Sequence, residues 1–280
     1  MLDDIKSVLV GLTKEYGGDE TSAALGYGLS LTREAGAHLT VQASAQRLQL
    51  TSAWITEFAR GLVAAENARL HHLAQAATER VGADAAAAGV VASVHTTQLD
   101  YSNLLGSFTA LARVHDLSVI DAEPEPIHPD RDLIQALLMS SGRPLVVVPP
   151  SWDAFRARRI IVAWDGSNRA ARAVHDALPF LRAADAVQIV AVTGEKDLPN
   201  SVDGSDLAPH LSRHGVNVEV NCRPARDGDV AHTLRNVAAS FDAEMIVMGG
   251  YVHSRLRELV FGGVTQSLLK SSPVPLLMSY

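Results

Sequence analysis

The same succession of short apolar runs and amphipathic stretches occurs twice along these 280 residues, and this repetition restricts the chain to a fold built from two like units. Residues 5–11 (IKSVLVG) and 159–163 (RIIVA) are β-branched runs, each followed by a polar loop and a helical pattern. A second strand follows in each half, AHLTVQA around Val41 and AVQIVAV around Val190, and then a third, VVASVHT around Val94 and VNVEVNC around Val218. The helical stretch 102–115 matches 229–241, DLSVIDA matches DAEMIVMGG, and the halves close on MSSGRPLVVVPP and KSSPVPLLMSY. Each half therefore reads β-α-β-α-β-α-β-α-β. Continuous apolar strands separated by helices predict an α/β fold of two tandem, open, five-stranded and mostly parallel sheets of Rossmann-like form, with helices on both faces.

The predicted domains are 1–150 and 151–280, joined by PPSWDAFRAR (149–158), whose prolines stop the preceding strand and whose Trp152 and Phe155 are expected to pack between the domains. The halves differ between their second and third strands. The first carries a long Ala-, Leu-, Glu- and Arg-rich helical stretch from Ala53 to about Ala88; the second has a short one, roughly 206–214, after a polar loop. Trp54, Phe58 and Leu62 recur at helical spacing and are expected to be core or interface contacts.

Hydrophobic residues at 47%, charged residues at 20% and a net charge of −7 describe a globular chain and argue against a nucleic-acid binder, which needs a surplus of Lys and Arg. No apolar run reaches the length of a membrane span, and the acidic start MLDDIKSVLVGL does not read as a signal peptide. A single cysteine, Cys222, excludes an intramolecular disulfide and reads as a small strand residue; the expected location is cytoplasmic.

Ligands of open parallel sheets bind beyond the carboxyl ends of the strands, where strand order reverses, so the loops after the first and fourth strands of each half are the ones that matter. In the second half the first such loop is Ala163-Trp164-Asp165-Gly166-Ser167. A carboxylate there can accept from ribose hydroxyls or an adenine amine, although Asp165, Ser167 and Asn168 equally suit capping of the next helix. The second loop runs from Gly249 to Thr265. Two glycine pairs, Gly249-Gly250 and Gly262-Gly263, bracket a basic stretch holding His253, Arg255 and Arg257, and the second pair opens a helix. Glycines let backbone N–H groups approach phosphate, and a helix N-terminus adds partial positive charge.

This combination resembles the universal stress protein family, whose ATP site joins a strand-tip Asp to the pattern Gly, two residues, Gly, nine residues, Gly, then Ser or Thr. The resemblance extends along the whole chain at the level of fold and is sharp over residues 159–279. It implies a nucleotide, ATP with magnesium, held in the second domain by Asp165, Val190, Gly249, Val252, His253, Gly262, Gly263, Val264 and Thr265. Two positions depart: Val252 replaces a glycine and Gly263 replaces the hydroxyl residue. A β-branched residue at positive φ costs about 1–2 kcal/mol, so the loop is expected to take another path. A lost hydrogen bond costs about 0.5–1.5 kcal/mol. Together these weaken ATP binding by roughly ten- to a thousandfold.

The first half lacks the motif. Thr13 stands in place of Asp165, and the loop after the fourth strand, DAEPEPIHPD, holds three prolines and four acids that would repel phosphate. No GxxxxGK[ST] or GxSxG motif is present, and the adjacent His71 and His72 point to different helix faces, a poor metal pair. Three readings compete: a stress-response regulator that binds ATP weakly, an interaction scaffold without nucleotide, and a slow ATPase. The last lacks a general base and metal carboxylates in the sequence pattern. In the resembling family single domains pair through their last strands, which implies an internal pairing of 145–148 with 276–279 and leaves room for a further homodimer.

Overall fold

Each half folds into the alternation that its periodicities dictate. The first half comprises β1 (Ser7–Leu12), α1 (Ala23–Ala35), β2 (His38–Gln46), α2 (Glu57–Ala87), β3 (Ala92–Leu99), α3 (Tyr101–Ala112), β4 (Leu117–Asp121), α4 (Pro129–Ser140) and β5 (Leu145–Val148). The second comprises β6 (Arg159–Ala163), α5 (Asn168–Asp176), α6 (Leu178–Ala183), β7 (Ala186–Thr193), α7 (Gly204–Arg213), β8 (Val218–Pro224), α8 (Val230–Ser240), β9 (Met245–Gly249), β10 (Val252–Arg255), β11 (Glu258–Phe261), α9 (Gly263–Lys270) and β12 (Leu276–Ser279). This is a computed structural model that describes residues 2–12, 22–49, 57–125, 129–193, 204–250, 252–255, 258–261 and 263–280.

The two five-stranded units join edge to edge through their last strands, the pairing of 145–148 with 276–279 that the family resemblance implied. One ten-stranded sheet runs through the chain in the order β3-β2-β1-β4-β5-β12-β9-β6-β7-β8. Every neighbouring pair is parallel except β5–β12, where Leu276, Leu277 and Met278 face Val147, Val146 and Leu145 in antiparallel register. Renaming the second half's strands by their repeat positions makes the order palindromic, so the halves are related by a pseudo-two-fold axis through that pair. Opposed strand directions put the carboxyl ends of the first half's strands on one edge of the molecule and those of the second half on the other.

The central strands read as unbroken apolar runs because both of their faces are covered. Val146, Val148, Ile160, Val162 and Leu277 join one buried cluster, while Leu145, Val147, Ile161, Leu276 and Met278 join the cluster on the opposite face. Both clusters draw on both halves. Each fully buried aliphatic side chain contributes about 1.5–3 kcal/mol, so the seam binds the halves through two cores at once.

The linker adds a third bond between the halves. Phe155 stands edge-on to Tyr27 of α1, with ring centroids 5.4 Å apart, and packs on Phe180 of α6 at 5.9 Å. The Phe155 amide donates to Ser30 Oγ at 2.6 Å, and Trp152 Nε1 donates to the Pro273 carbonyl at 2.9 Å. The linker can lie this close to α1 because Gly26 has no side chain: a Cβ there would stand 2.3 Å from the Asp153 carbonyl oxygen.

The 31-residue α2 buries Leu70, Ala74, Val81 and Ala85, none of them in its first three turns. Contrary to the core reading, Phe58 and Leu62 are 76% and 56% exposed; Trp54 lies outside the described residues. Their turns precede the first buried residue, so the helix has no sheet beneath it there. Cys222 is exposed on β8, the last strand of the sheet. No helix among the described residues is long and apolar enough to cross a membrane.

Tyr27 is fully buried, and its hydroxyl has no hydrogen-bond partner among the described residues. Burial, aided by the charges of Glu244 and Glu34, pushes that phenol far above its ordinary range. Tyr27→Phe removes an unpaired polar atom while keeping the ring stack, and is expected to raise unfolding free energy by about 1 kcal/mol, read as a higher urea midpoint at unchanged slope.

Candidate functional site

In the second half the strand order reverses between β6, which leads outward to β7, and β9, which leads inward to β12. Two of the residues singled out in the sequence end at that crevice, Asp165 just beyond β6 and Gly249 at the tip of β9. Asp165 is exposed, and its Oδ1 accepts from the Ser167 amide at 3.0 Å, closing a turn in which Gly166 takes φ 74°. Capping of α5 falls to Ser167 instead, whose Oγ accepts from the Ala170 amide at 3.2 Å. The Asp165 side chain therefore shapes the loop and leaves the helix donors to serine.

Gly249 has a packing reason to be glycine. A Cβ at this position would lie 2.7 Å from the Ala170 amide nitrogen and 2.8 Å from the Arg169 carbonyl carbon. The bare backbone lets the tip of β9 rest on the first turn of α5. Gly250 continues the ladder by donating to the Ser279 carbonyl at 2.7 Å. Val190 is buried in β7, and its carbonyl accepts from the Trp164 amide at 2.9 Å, an engagement that ties the Asp165 loop to the neighbouring strand.

The stretch read from sequence as a glycine-bracketed loop is a β-hairpin. β10 and β11 pair antiparallel, with Val252 opposite Phe261, His253 opposite Val260 and Arg255 opposite Glu258. Val252 is the first residue of β10. Gly262 lies outside the described residues. Gly263 opens α9, Val264 follows on its first turn, and Thr265 is buried beneath them. The structure thus brings Asp165, Val190 and Gly249 to one end of the sheet, while Val252 and His253 belong to the hairpin that leaves β9.

Arg169 is a residue that the sequence gave no reason to single out. It stands on the first turn of α5 beside Gly249, with its guanidinium 4.6 Å over the Tyr280 ring and Nη2 donating to the Tyr280 hydroxyl at 3.1 Å. The signal was hidden because its partner is the last residue of the chain.

The equivalent crevice of the first half is built differently. Strand pairing places Val8 against Leu117 and Ile160 against Met245, so Asp121 occupies the position of Gly249. Its Oδ2 accepts from Ser22 Oγ at 2.6 Å, and its Oδ1 from the Ala24 amide at 2.9 Å. A carboxylate of the chain itself thus sits where the N-terminus of α1 would receive an anion. Thr13 lies outside the described residues. Two of the four acids expected to repel phosphate also hold structure within this half. Asp121 holds α1, and the buried Glu123 faces the buried Arg131, whose guanidinium is drawn downward by burial and back up by Glu123. Among the described residues no cluster of His, Cys, Asp or Glu forms a metal site.

Two substitutions separate these roles. Gly249→Ala drives a methyl group into the backbone of α5 and is expected to cost about 1–3 kcal/mol of stability. Asp121→Ala strips two buried donors of their acceptor and is expected to cost about 2 kcal/mol. Urea unfolding of each variant measures both.

Residues 156–279 match the Universal stress protein family. The stress response protein NhaX of Bacillus subtilis (strain 168) is 24% identical over 163 residues, covering 44% of this chain and 98% of NhaX. Among solved structures, a universal stress protein from Archaeoglobus fulgidus DSM 4304 superposes with a TM-score of 0.66 at 16% identity, covering 98% of this chain and 95% of that one. The functionally unknown protein PA1789 of Pseudomonas aeruginosa PAO1 gives 0.55 at 15% identity, over 99% and 93%. At such identities the likeness to these two structures is one of fold, and it runs through both halves. Residues 156–279 of this chain thus match a Universal stress protein domain.

Proposed function

We propose that the chain binds ATP, with its magnesium, weakly through the second half, and that it acts by binding rather than by turnover. The observation that carries this reading is the placement of Asp165 and Gly249 on either side of the strand-order reversal, the usual ligand position of an open α/β sheet. In this reading the Asp165 carboxylate accepts from the ribose hydroxyls. The base lies along the end of β7 near Val190, and the phosphates approach the start of α9, where Gly263, Val264 and Thr265 present backbone amides toward a favourable helix dipole. The magnesium arrives with the phosphates and is not held by a protein cage.

A second reading, a family member that works as an interaction scaffold without nucleotide, draws support from the β10–β11 hairpin. Its ladder engages backbone groups that an open glycine loop would turn toward phosphate. The same hairpin accounts for weakness in the first reading, since opening it would draw on the binding free energy.

Calorimetric titration with ATP and magnesium distinguishes the two. One site per chain is expected, lost in Asp165→Ala. Val252→Gly, which weakens strand pairing and restores a flexible loop, is expected to tighten binding by about tenfold, or about 1.4 kcal/mol. No heat from either protein at millimolar nucleotide would leave the scaffold reading.

A further inference from the structure

The first four turns of α2 carry large apolar side chains where the helix has left the sheet. Phe58 and Leu62 are 76% and 56% exposed, Gly61, Ala65, Ala68 and Arg69 are exposed with them, and the first buried residue is Leu70. A helix of about a dozen residues is marginal in water without a packed face. Its sheet-facing side is already assigned: Ala74, Val81 and Ala85 continue the line of Leu70, and Asn67 clasps Leu48 by accepting from its amide at 2.8 Å and donating to its carbonyl at 3.0 Å. Phe58, Leu62, Ala65 and Arg69 follow one another at spacings of four, three and four. They form a seam of coiled-coil period on the side turned away from those contacts.

We propose that this seam is a homodimerisation surface on which α2 of a second copy packs antiparallel. The choice of occupant and direction comes from the seam's own chemistry. In an antiparallel pair centred between Leu62 and Ala65, Leu62 of one copy meets Ala65 of the other, large against small, and Phe58 meets Arg69. The guanidinium of Arg69 is held in plane by Glu66, with Nε 2.9 and 3.0 Å from its two carboxylate oxygens. A guanidinium fixed in this way is suited to lie over an aromatic face. A parallel pair would instead set Arg69 against Arg69 and Phe58 against Phe58, with like charges in the seam. Gly61 and Ala68 beside the seam let the backbones approach. Such a surface is self-complementary, as a two-fold contact requires. Only these few turns are involved, so the buried area falls at the low end for specific interfaces and the dimer is reversible.

Sedimentation equilibrium from micromolar to near-millimolar chain tests this, independently of any nucleotide. The wild-type protein is expected to pass from monomer to dimer over that range. Leu62→Lys is expected to weaken association by at least about tenfold, with helix content and urea midpoint unchanged because the side chain is exposed in the monomer. Arg69→Ala keeps helix propensity and is expected to weaken association severalfold. A monomer at every concentration, or a dimer indifferent to Leu62→Lys, overturns the proposal. A dimer strengthened by Arg69→Ala overturns the antiparallel arrangement, because relief of like charge is the mark of a parallel seam.

Discussion

The antiparallel pairing of β5 with β12 is the contact on which the rest of the molecule depends. Each half alone would end in an edge strand with two apolar faces and an unpaired row of backbone donors and acceptors, the arrangement most prone to wrong association. Joining the two edges satisfies the hydrogen bonds and buries LVVV against LLMS between two continuous cores. The strands are short, four residues each, so the register must come from side-chain fit on both faces. The linker supports that register. Phe155, seated between Tyr27 and Phe180, fixes the path by which one half hands over to the other.

The pseudo-two-fold relation makes the divergence of the halves legible atom by atom. At one position, the tip of the fourth strand of each repeat, the second half has Gly249 and the first has Asp121. Both serve the same contact, the strand tip meeting the first turn of a helix. In one half the contact is made by removing a side chain, in the other by supplying a carboxylate to the helix donors. The first solution leaves the N-terminus of α5 to the Ser167 hydroxyl, with no carboxylate from the tip of β9 upon it. The second supplies that carboxylate from the tip of β4. The two solutions differ by few residues, because a helix N-terminus is stabilised either by a neutral hydroxyl cap or by a built-in carboxylate.

The order of elements was readable because buried parallel strands and amphipathic helices have different periods, and the repetition supplied two readings of each. The seam between the halves was anticipated through family resemblance and not through any residue pattern, since LVVV and LLMS suit any buried strand. The role of Asp121 could not be seen at all: its partners lie 97 and 99 positions away, and a carboxylate among prolines and acids looks like a solvated loop. The β10–β11 hairpin was obscured by the glycine pairs that flank it, which suggested an open loop. The exposed face of α2 was misread because Phe58 and Leu62 have the spacing of core residues, and spacing alone does not say where the sheet ends.

Placing the seam at the centre moves the problem of edges outward to β3 and β8, and the two are protected by different means. On β8 a polar row covers one face: Gln188 donates to Glu219 and accepts from Asn221 at 3.0 Å, and Arg223 donates to Asn221 at 2.9 Å, with Pro224 closing the strand. Charge and proline discourage a further strand there. β3 is covered instead by α2, docked through Thr78 against Thr96 at 2.6 Å and through Gln98, which donates to the Asn67 carbonyl at 2.8 Å. A helix of 31 residues, about 46 Å long, exceeds the eight-residue strand that it covers by some 20 Å. The surplus falls at the helix N-terminus, where its side chains have no sheet to meet. Protection of the edge and exposure of the Phe58–Leu62 face are therefore two consequences of the same helix length.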